Sequence, residues 1–122
     1  LARSRGLGDV YKRQLQGLAE GMNFSEKAGL NSKDVLEVIS KGAAQSWQME
    51  NRWHTMLEDK FDHGFAVDLM RKDLDIVIKK AERENISLEI TKIVNDYYKE
   101  VQKYGGGKWD TSSLYKRLKD NF

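Results

Sequence analysis

One lysine stands out among the residues that could do chemistry, because its neighbours on a predicted helix are apolar. Apolar residues recur at threes and fours across residues 66–84, which predicts a helix with a core-facing stripe. That stripe consists of Val67, Met70, Leu74, Val77, Ile78 and Ala81. Phe65, Leu69 and Ile76 fall on the opposite side, and Lys72 lies among them. A helix that is apolar on two sides predicts a second contact, with another domain, subunit or ligand.

A cation in such a stripe has two interpretations. Desolvating Lys72 costs free energy unless an anion or a polar group receives its ammonium, which favours a binding role. Alternatively, Lys72 extends to solvent over Leu69 and Ile76. The neighbouring Asp73 is either a solvated charge or a helical partner of a nearby lysine. Periodicity by itself leaves these alternatives open.

Other chemistry finds little support in the sequence. The only histidines, His54 and His63, lack metal-ligand spacing, and there is no cysteine, so no metal site is expected. The sequence contains neither a P-loop nor a nucleophile-elbow serine. The glycines at 105–107 indicate a turn rather than a phosphate cradle.

The composition favours a single all-α domain. The 122 residues include 39% hydrophobic and 33% charged residues and no proline, which suits helices. No segment alternates as a strand would, so we predict a helical bundle of about six or seven helices. No apolar run is long enough to cross a bilayer and no secretory signal is evident, so a cytoplasmic location without a membrane partner is the default expectation.

Local signals place the other helices. The first runs from Leu15 to a stop at Gly29, and the second begins after a cap at Asn31 or Ser32 and ends at Gly42. Val35, Leu36, Val38 and Ile39 are expected to form the apolar face of the second helix. Residues 43–59 predict a helix broken near Asn51, followed by a loop at 60–64. Residues 88–104 form another helix, and Asp110 or Thr111 caps a short last one.

The first fourteen residues look foreign to the rest. They carry a net charge of +3, so residues 15–122 carry −1, which argues against a nucleic-acid partner. Residues 9–14 are similar to one reading frame of a transposon-end sequencing adapter. We therefore interpret residues 1–14 as a non-native tail and residues 15–122 as the domain. A native basic arm is the alternative.

Residues 15–122 resemble the C-terminal helical domain of the β-hydroxyacid dehydrogenases, the family of 3-hydroxyisobutyrate dehydrogenase. The segments that carry the resemblance follow the family's order: Gly17–Gly21, Glu26–Leu30, Val35–Ser40, Ser46–Trp47 with Asn51–Arg52, Gly64–Ala66 and Asp68–Leu74. In that family an N-terminal Rossmann domain precedes the helical domain, which packs on it and takes part in subunit assembly. The resemblance therefore implies NAD or NADP, a small hydroxyacid substrate, a missing Rossmann domain and a homo-oligomer.

The same resemblance assigns roles to individual residues. It places Lys72 beside the cofactor, Phe65 in the wall of the substrate and nicotinamide region, and Asp73 among the ordered polar groups of the active site. The acid/base lysine and its companion asparagine would fall at Ser4 and Gly8, which match neither. The resemblance thus implies catalytic residues upstream of Leu15, absent here, and predicts that this chain is an inactive fragment of an oxidoreductase.

Some questions stay open at the level of sequence. Asp75, Val77 and Lys79 depart from the family's pattern after the lysine, which leaves the contact of this helix with the cofactor domain in doubt. The resemblance does not choose the substrate, since 3-hydroxyisobutyrate, tartronate semialdehyde, and glyoxylate or succinic semialdehyde all fit relatives with this kind of domain. The rival hypothesis is a stand-alone helical module that dimerises through the face of Phe65, Leu69 and Ile76.

Overall fold

Helices account for the regular structure of the chain throughout the part that can be described. The structure is a computed structural model and describes the backbone of residues 2–121 and the side chains of residues 13–121. The helices are α1 (Ala2–Lys27), α2 (Ser32–Ile39), α3 (Trp47–Leu57), α4 (Val67–Arg83), α5 (Glu89–Lys103) and α6 (Leu114–Asp120), with a 3-10 turn at Thr111–Ser113. The prediction of an all-α bundle of about six or seven helices is confirmed.

The first two helix ends follow the expected local signals. Gly29 adopts a φ of 75°, and the N–H of Leu30 donates to the carbonyl of Ser25 at 3.0 Å, so the chain leaves α1 in a left-handed turn. Asn31 then caps α2, since its side chain accepts from the N–H groups of Lys33 and Asp34. Helix α2 ends at Ile39, before the predicted end at Gly42.

The predicted break near Asn51 was wrong. Helix α3 runs through this residue without interruption after a cap at Ser46, whose side chain accepts from the N–H of Met49. Asparagine disfavours helices when its amide competes for backbone groups outside the helix. Here the Asn51 amide donates to the carbonyl of Trp47, one turn back, at 2.9 Å, so it adds a bond along the helix.

Helix α1 is longer than the sequence pattern indicated. Its backbone is helical from Ala2, whereas the apolar period begins at Leu15. The side chains of residues 1–12, which carry most of the basic charge of the expected tail, lie outside the described residues. The foreign origin of residues 1–14 stays a prediction.

The core consists of two clusters of buried side chains that meet on α1. The first joins Leu15 to α4, α5 and α6: Leu15, Val67, Met70, Leu74, Val94, Tyr98, Val101 and Leu114. The second lies between α1, α3 and α6: Leu18, Ala19, Met22, Met49, Trp53, Met56, Phe61 and Tyr115. Because α1 contributes to both clusters, it fixes α4 and α5 on one side and α3 on the other.

Burial differs from expectation at one apolar position of α2. Val38 was expected on the buried face of α2, yet it is 73% exposed. Helix α2 has only eight residues and presents Val35, Leu36 and Ile39 to the second cluster as partly buried neighbours. With so short a helix, one narrow stripe reaches the core and Val38 lies outside it.

None of the described helices is both long and apolar enough to cross a membrane.

Two tryptophans on α3 provide a matched test of the second cluster. Trp53 is 1% exposed, while Trp47 is 53% exposed and contacts the guanidinium of Arg52. Replacing Trp53 by alanine should lower the free energy of unfolding by about 3–5 kcal/mol, because it opens a cavity in the core. Trp47→Ala should cost less than about 1 kcal/mol. Urea denaturation followed by circular dichroism measures both, and equal losses would contradict the packing described.

Candidate functional site

The first half of α4 presents an apolar face with a lysine in it. We define the α4 outer face as Phe65, Leu69, Lys72 and Ile76. Phe65 is 38% exposed, Leu69 is 52% exposed, Lys72 is exposed and Ile76 is half-buried. The core stripe on the other side is buried as predicted, except that Ile78 is only half-buried. Described parts of the chain therefore bury α4 from one direction and leave the outer face uncovered.

Lys72 forms no ion pair or hydrogen bond with any side chain in the described range. Its ammonium is thus available to a group from outside this chain. Asp73, next in sequence, is half-buried and already interacts within the chain. The structure thus places Leu69, Lys72 and Ile76 on one side of α4, and Phe65 in the extended segment just before the helix.

The rotation of α4 about its own axis is set by a row of hydrogen bonds between side chains of α4 and α5. Arg71 donates to the side chains of Gln102 at 2.9 Å and Asn95 at 3.0 Å. Asn95 donates to Asp75 at 3.0 Å, and Gln102 donates to Asp68 at 2.7 Å. We call this row the polar seam. Because it occupies the side of α4 between the core stripe and the outer face, it holds the outer face toward solvent.

The three residues that depart from the family's pattern lie at different places on α4. Asp75 belongs to the polar seam, where it also lies 3.6 Å from Arg71. Val77 is buried in the core, and Lys79 is exposed. Asp75 and Val77 therefore lie off the outer face.

Phe65 is held by its backbone. Its N–H donates to Oδ1 of Asp110 at 2.9 Å, and its carbonyl accepts from the N–H of Thr111 at 3.0 Å. Both polar groups of this one peptide position are therefore satisfied by residues 45 positions or more along the chain. These bonds fix the backbone of Phe65 two residues before α4 begins.

Asp110 is a fully buried carboxylate with several partners. Its Oδ2 accepts from the N–H of Ser112 at 3.0 Å and from the Ser112 hydroxyl, and it lies 3.3 Å from Nε of Arg52. A buried charge is tolerated only when it is paired and hydrogen-bonded. The sequence predicted that Asp110 or Thr111 caps the last helix. Asp110 instead caps the 3-10 turn that precedes α6, through the Ser112 bond, and α6 itself has no side-chain cap. Nothing in the sequence indicated the long-range partners Arg52 and Phe65.

The segment just before Asp110 supplies hydrogen-bond acceptors to the first N–H groups of α4. Ala66, the N-cap residue, has no side-chain cap. Instead the N–H of Val67 donates to the carbonyl of Trp109, and the N–H of Asp68 donates to the carbonyl of Gly107, both at 2.9 Å. The carbonyls of Gly107 and Trp109 thus accept from helix N–H groups that would otherwise lack partners, and they determine where α4 begins.

Metal binding finds no support in the described part of the chain, where no group of three or more histidine, aspartate or glutamate side chains could hold an ion.

Comparison with known proteins identifies relatives. The sequence profile described as "NAD-binding of NADP-dependent 3-hydroxyisobutyrate dehydrogenase" matches residues 10–118. An uncharacterized oxidoreductase of Shewanella frigidimarina is 55% identical over 85% of this chain and 36% of its own length. The cytokine-like nuclear factor N-PAC of Aedes aegypti is 33% identical over 86% of this chain and 19% of its own. The chain therefore spans about a third or less of the length of these curated relatives.

A solved structure shares the fold. The 3-hydroxyisobutyrate dehydrogenase of Salmonella typhimurium superposes with a TM-score of 0.80 at 25% identity, covering 94% of this chain and 39% of the other. The resemblance stated from the sequence is confirmed. The profile's description names NAD binding and NADP dependence, so the expectation of NAD or NADP is confirmed at the level of the family.

Gly64, which precedes Phe65, offers a test of the loop that carries it. Its φ is +74°, and a Cβ there would lie 2.1 Å from Oδ1 of Asp110. Gly64→Ala should therefore lower the free energy of unfolding by at least about 2 kcal/mol, since it combines backbone strain with displacement of a buried carboxylate.

Gly21→Ala is the matched control. Gly21 lies within α1, and a Cβ there meets nothing within 4 Å. Alanine should raise stability by about 0.5–1 kcal/mol at this site. Thermal and urea denaturation measure both variants, and a Gly64→Ala protein as stable as the parent would show that Asp110 does not require the close approach.

Proposed function

This chain belongs to the family of NAD-binding domains of NADP-dependent 3-hydroxyisobutyrate dehydrogenase, and from that premise we propose that its α4 outer face forms one wall of a dinucleotide cleft. The full protein would be an NAD- or NADP-dependent oxidoreductase that interconverts a β-hydroxyacid, such as 3-hydroxyisobutyrate, and its semialdehyde. A Rossmann domain would supply the opposite wall of the cleft, and the protein would assemble as a homo-oligomer.

The observation that carries the proposal is the exposed lysine in an apolar face. Covering Leu69 and Phe65 with another domain would bury apolar area favourably, but it would also desolvate the ammonium of Lys72. That cost is offset when the covering group brings an anionic or polar oxygen to the ammonium. A dinucleotide held on a Rossmann domain has both properties, since it offers phosphates and ribose hydroxyls next to flat rings.

Each residue then has a defined task. Lys72 would donate hydrogen bonds to the dinucleotide and anchor it against α4. Phe65 would present an apolar side chain to the nicotinamide end of the cleft, limiting access of water to the reacting carbon. Asp73 would order polar groups at the margin. When bound, the dinucleotide would supply hydride transfer to or from the substrate, and the proton would be moved by residues outside positions 15–122.

The first test uses a complete enzyme. Residues 15–122 can replace the matching segment of the Shewanella frigidimarina oxidoreductase, which is 55% identical over 104 residues. In this chimera, Lys72→Ala should raise the KM for NAD or NADP by about tenfold or more, as expected for loss of a charge-assisted hydrogen bond. Initial rates with 3-hydroxyisobutyrate and a panel of other β-hydroxyacids provide the measurement.

Lys33→Ala is the control, because Lys33 is an exposed lysine on α2, which packs against the second cluster. It should leave the KM for the dinucleotide unchanged. An active chimera in which Lys72→Ala and Lys33→Ala behave alike would refute the role of Lys72. If the 122-residue chain by itself forms a dimer that Phe65→Ala disrupts and Lys72→Ala does not, that result would support the rival hypothesis of a stand-alone helical module.

The 122-residue chain alone should have no dehydrogenase activity. Its described residues offer one wall of a cleft, and the positions aligned with the family's acid/base pair hold Ser4 and Gly8. No change in nicotinamide absorbance should appear when the pure chain is mixed with NAD or NADP and the same panel of hydroxyacids. Turnover that co-purifies with the chain and is lost in Lys72→Ala would contradict this expectation.

A further inference from the structure

We propose that Asp110 is a positioning residue for the dehydrogenase reaction, acting through Phe65. The inference rests on the proposed function, in which Phe65 lines the cleft. Asp110 does not reach the outer face itself, because its side chain is fully buried. It acts by fixing the backbone of the residue that does reach it.

The placement of Phe65 depends on backbone bonds more than on side-chain packing. The side chain is 38% exposed, and it belongs to neither core cluster. Residues 58–66 lie between α3 and α4 and contain no helix of their own. What fixes Phe65 is the bond from its N–H to Oδ1 of Asp110 and the bond from Thr111 to its carbonyl.

Asp110 is itself held rigidly. Its own N–H donates to the carbonyl of Phe61 at 2.7 Å, and Arg52 and Ser112 occupy Oδ2. The next carbonyl, that of Thr111, accepts from the buried hydroxyl of Tyr98 at 3.1 Å. Asp110 therefore transmits the rigidity of the core and of α3 to an aromatic side chain on the surface.

Lys72 has a separate support. It lies more than one turn inside α4, which is held by the core stripe and by the polar seam. The bonds that close the start of α4 come from backbone carbonyls of Gly107 and Trp109, not from the Asp110 side chain. A change at the Asp110 carboxylate should thus affect Phe65 more than the dinucleotide contact of Lys72.

The test is a double-mutant cycle of Asp110→Asn and Phe65→Ala in the full-length chimera. Asparagine keeps the size of the side chain, but one acceptor oxygen becomes an N–H2 group that cannot accept from the Phe65 N–H or the Ser112 N–H. Asp110→Asn alone should lower kcat/KM for the hydroxyacid about tenfold, because small misplacements of a cleft wall are costly. In the Phe65→Ala background the same change should cost less than about twofold.

A second readout separates positioning from loss of stability. The KM for the dinucleotide should stay within about twofold of the parent in Asp110→Asn. Met22→Ala, which opens a cavity in the second cluster, is the destabilised control. It should lower the melting temperature but leave kcat/KM unchanged when all assays run well below the lowest melting temperature.

A milder variant keeps the test available if Asp110→Asn does not fold. Ser112→Ala removes the hydroxyl that donates to Oδ2 and leaves the carboxylate in place. It should lower kcat/KM about threefold, and that loss should again disappear in the Phe65→Ala background.

The possible outcomes are distinct. Equal losses from Asp110→Asn with and without Phe65, or a change in melting temperature alone, would overturn the positioning role while the proposed function stands. An active chimera in which Phe65→Ala changes nothing would refute the proposed cleft wall, and the positioning role with it. Loss of kcat/KM that depends on Phe65 supports both.

Discussion

The buried carboxylate of Asp110 is the constraint on which the candidate site depends. A charge with no exposure to solvent must find its partners within the fold, and these come from three separate segments. Arg52 comes from α3, the N–H of Phe65 from the loop before α4, and Ser112 from the turn before α6. None of these segments can move without leaving the charge unsatisfied, so the start of α4 is tied to the end of the chain.

A second constraint sets the rotation of α4. The carbonyls of Gly107 and Trp109 determine where α4 begins, because they accept from its first N–H groups. The polar seam to α5 determines which residues of α4 face outward. Arg71 is central to the seam because it contacts both Gln102 and Asn95. The start of α4 and its rotation together determine that Leu69 and Lys72 face outward, which helix propensity would not specify.

Most of the fold could be predicted from the sequence, because its signals are local. Gly29 and Asn31 mark a helix end and a helix start through their own backbone conformation and side chain. Sites that depend on distant residues could not be predicted. The partnership of Asp110 with Arg52 and Phe65 joins positions that only the folded chain brings together, and the unbroken α3 at Asn51 depends on where one amide points.

The two constraints bear on function because both serve an exposed surface. A fold stabilises itself by burying apolar groups, and a buried ion pair adds little to stability that apolar residues could not supply. Here the buried charge holds the backbone of Phe65, whose side chain remains partly in solvent, and the seam leaves Lys72 exposed, with no partner among the described side chains. Under the proposed function, the buried carboxylate therefore contributes more to placing an exposed aromatic residue for a ligand than to stabilising the bundle.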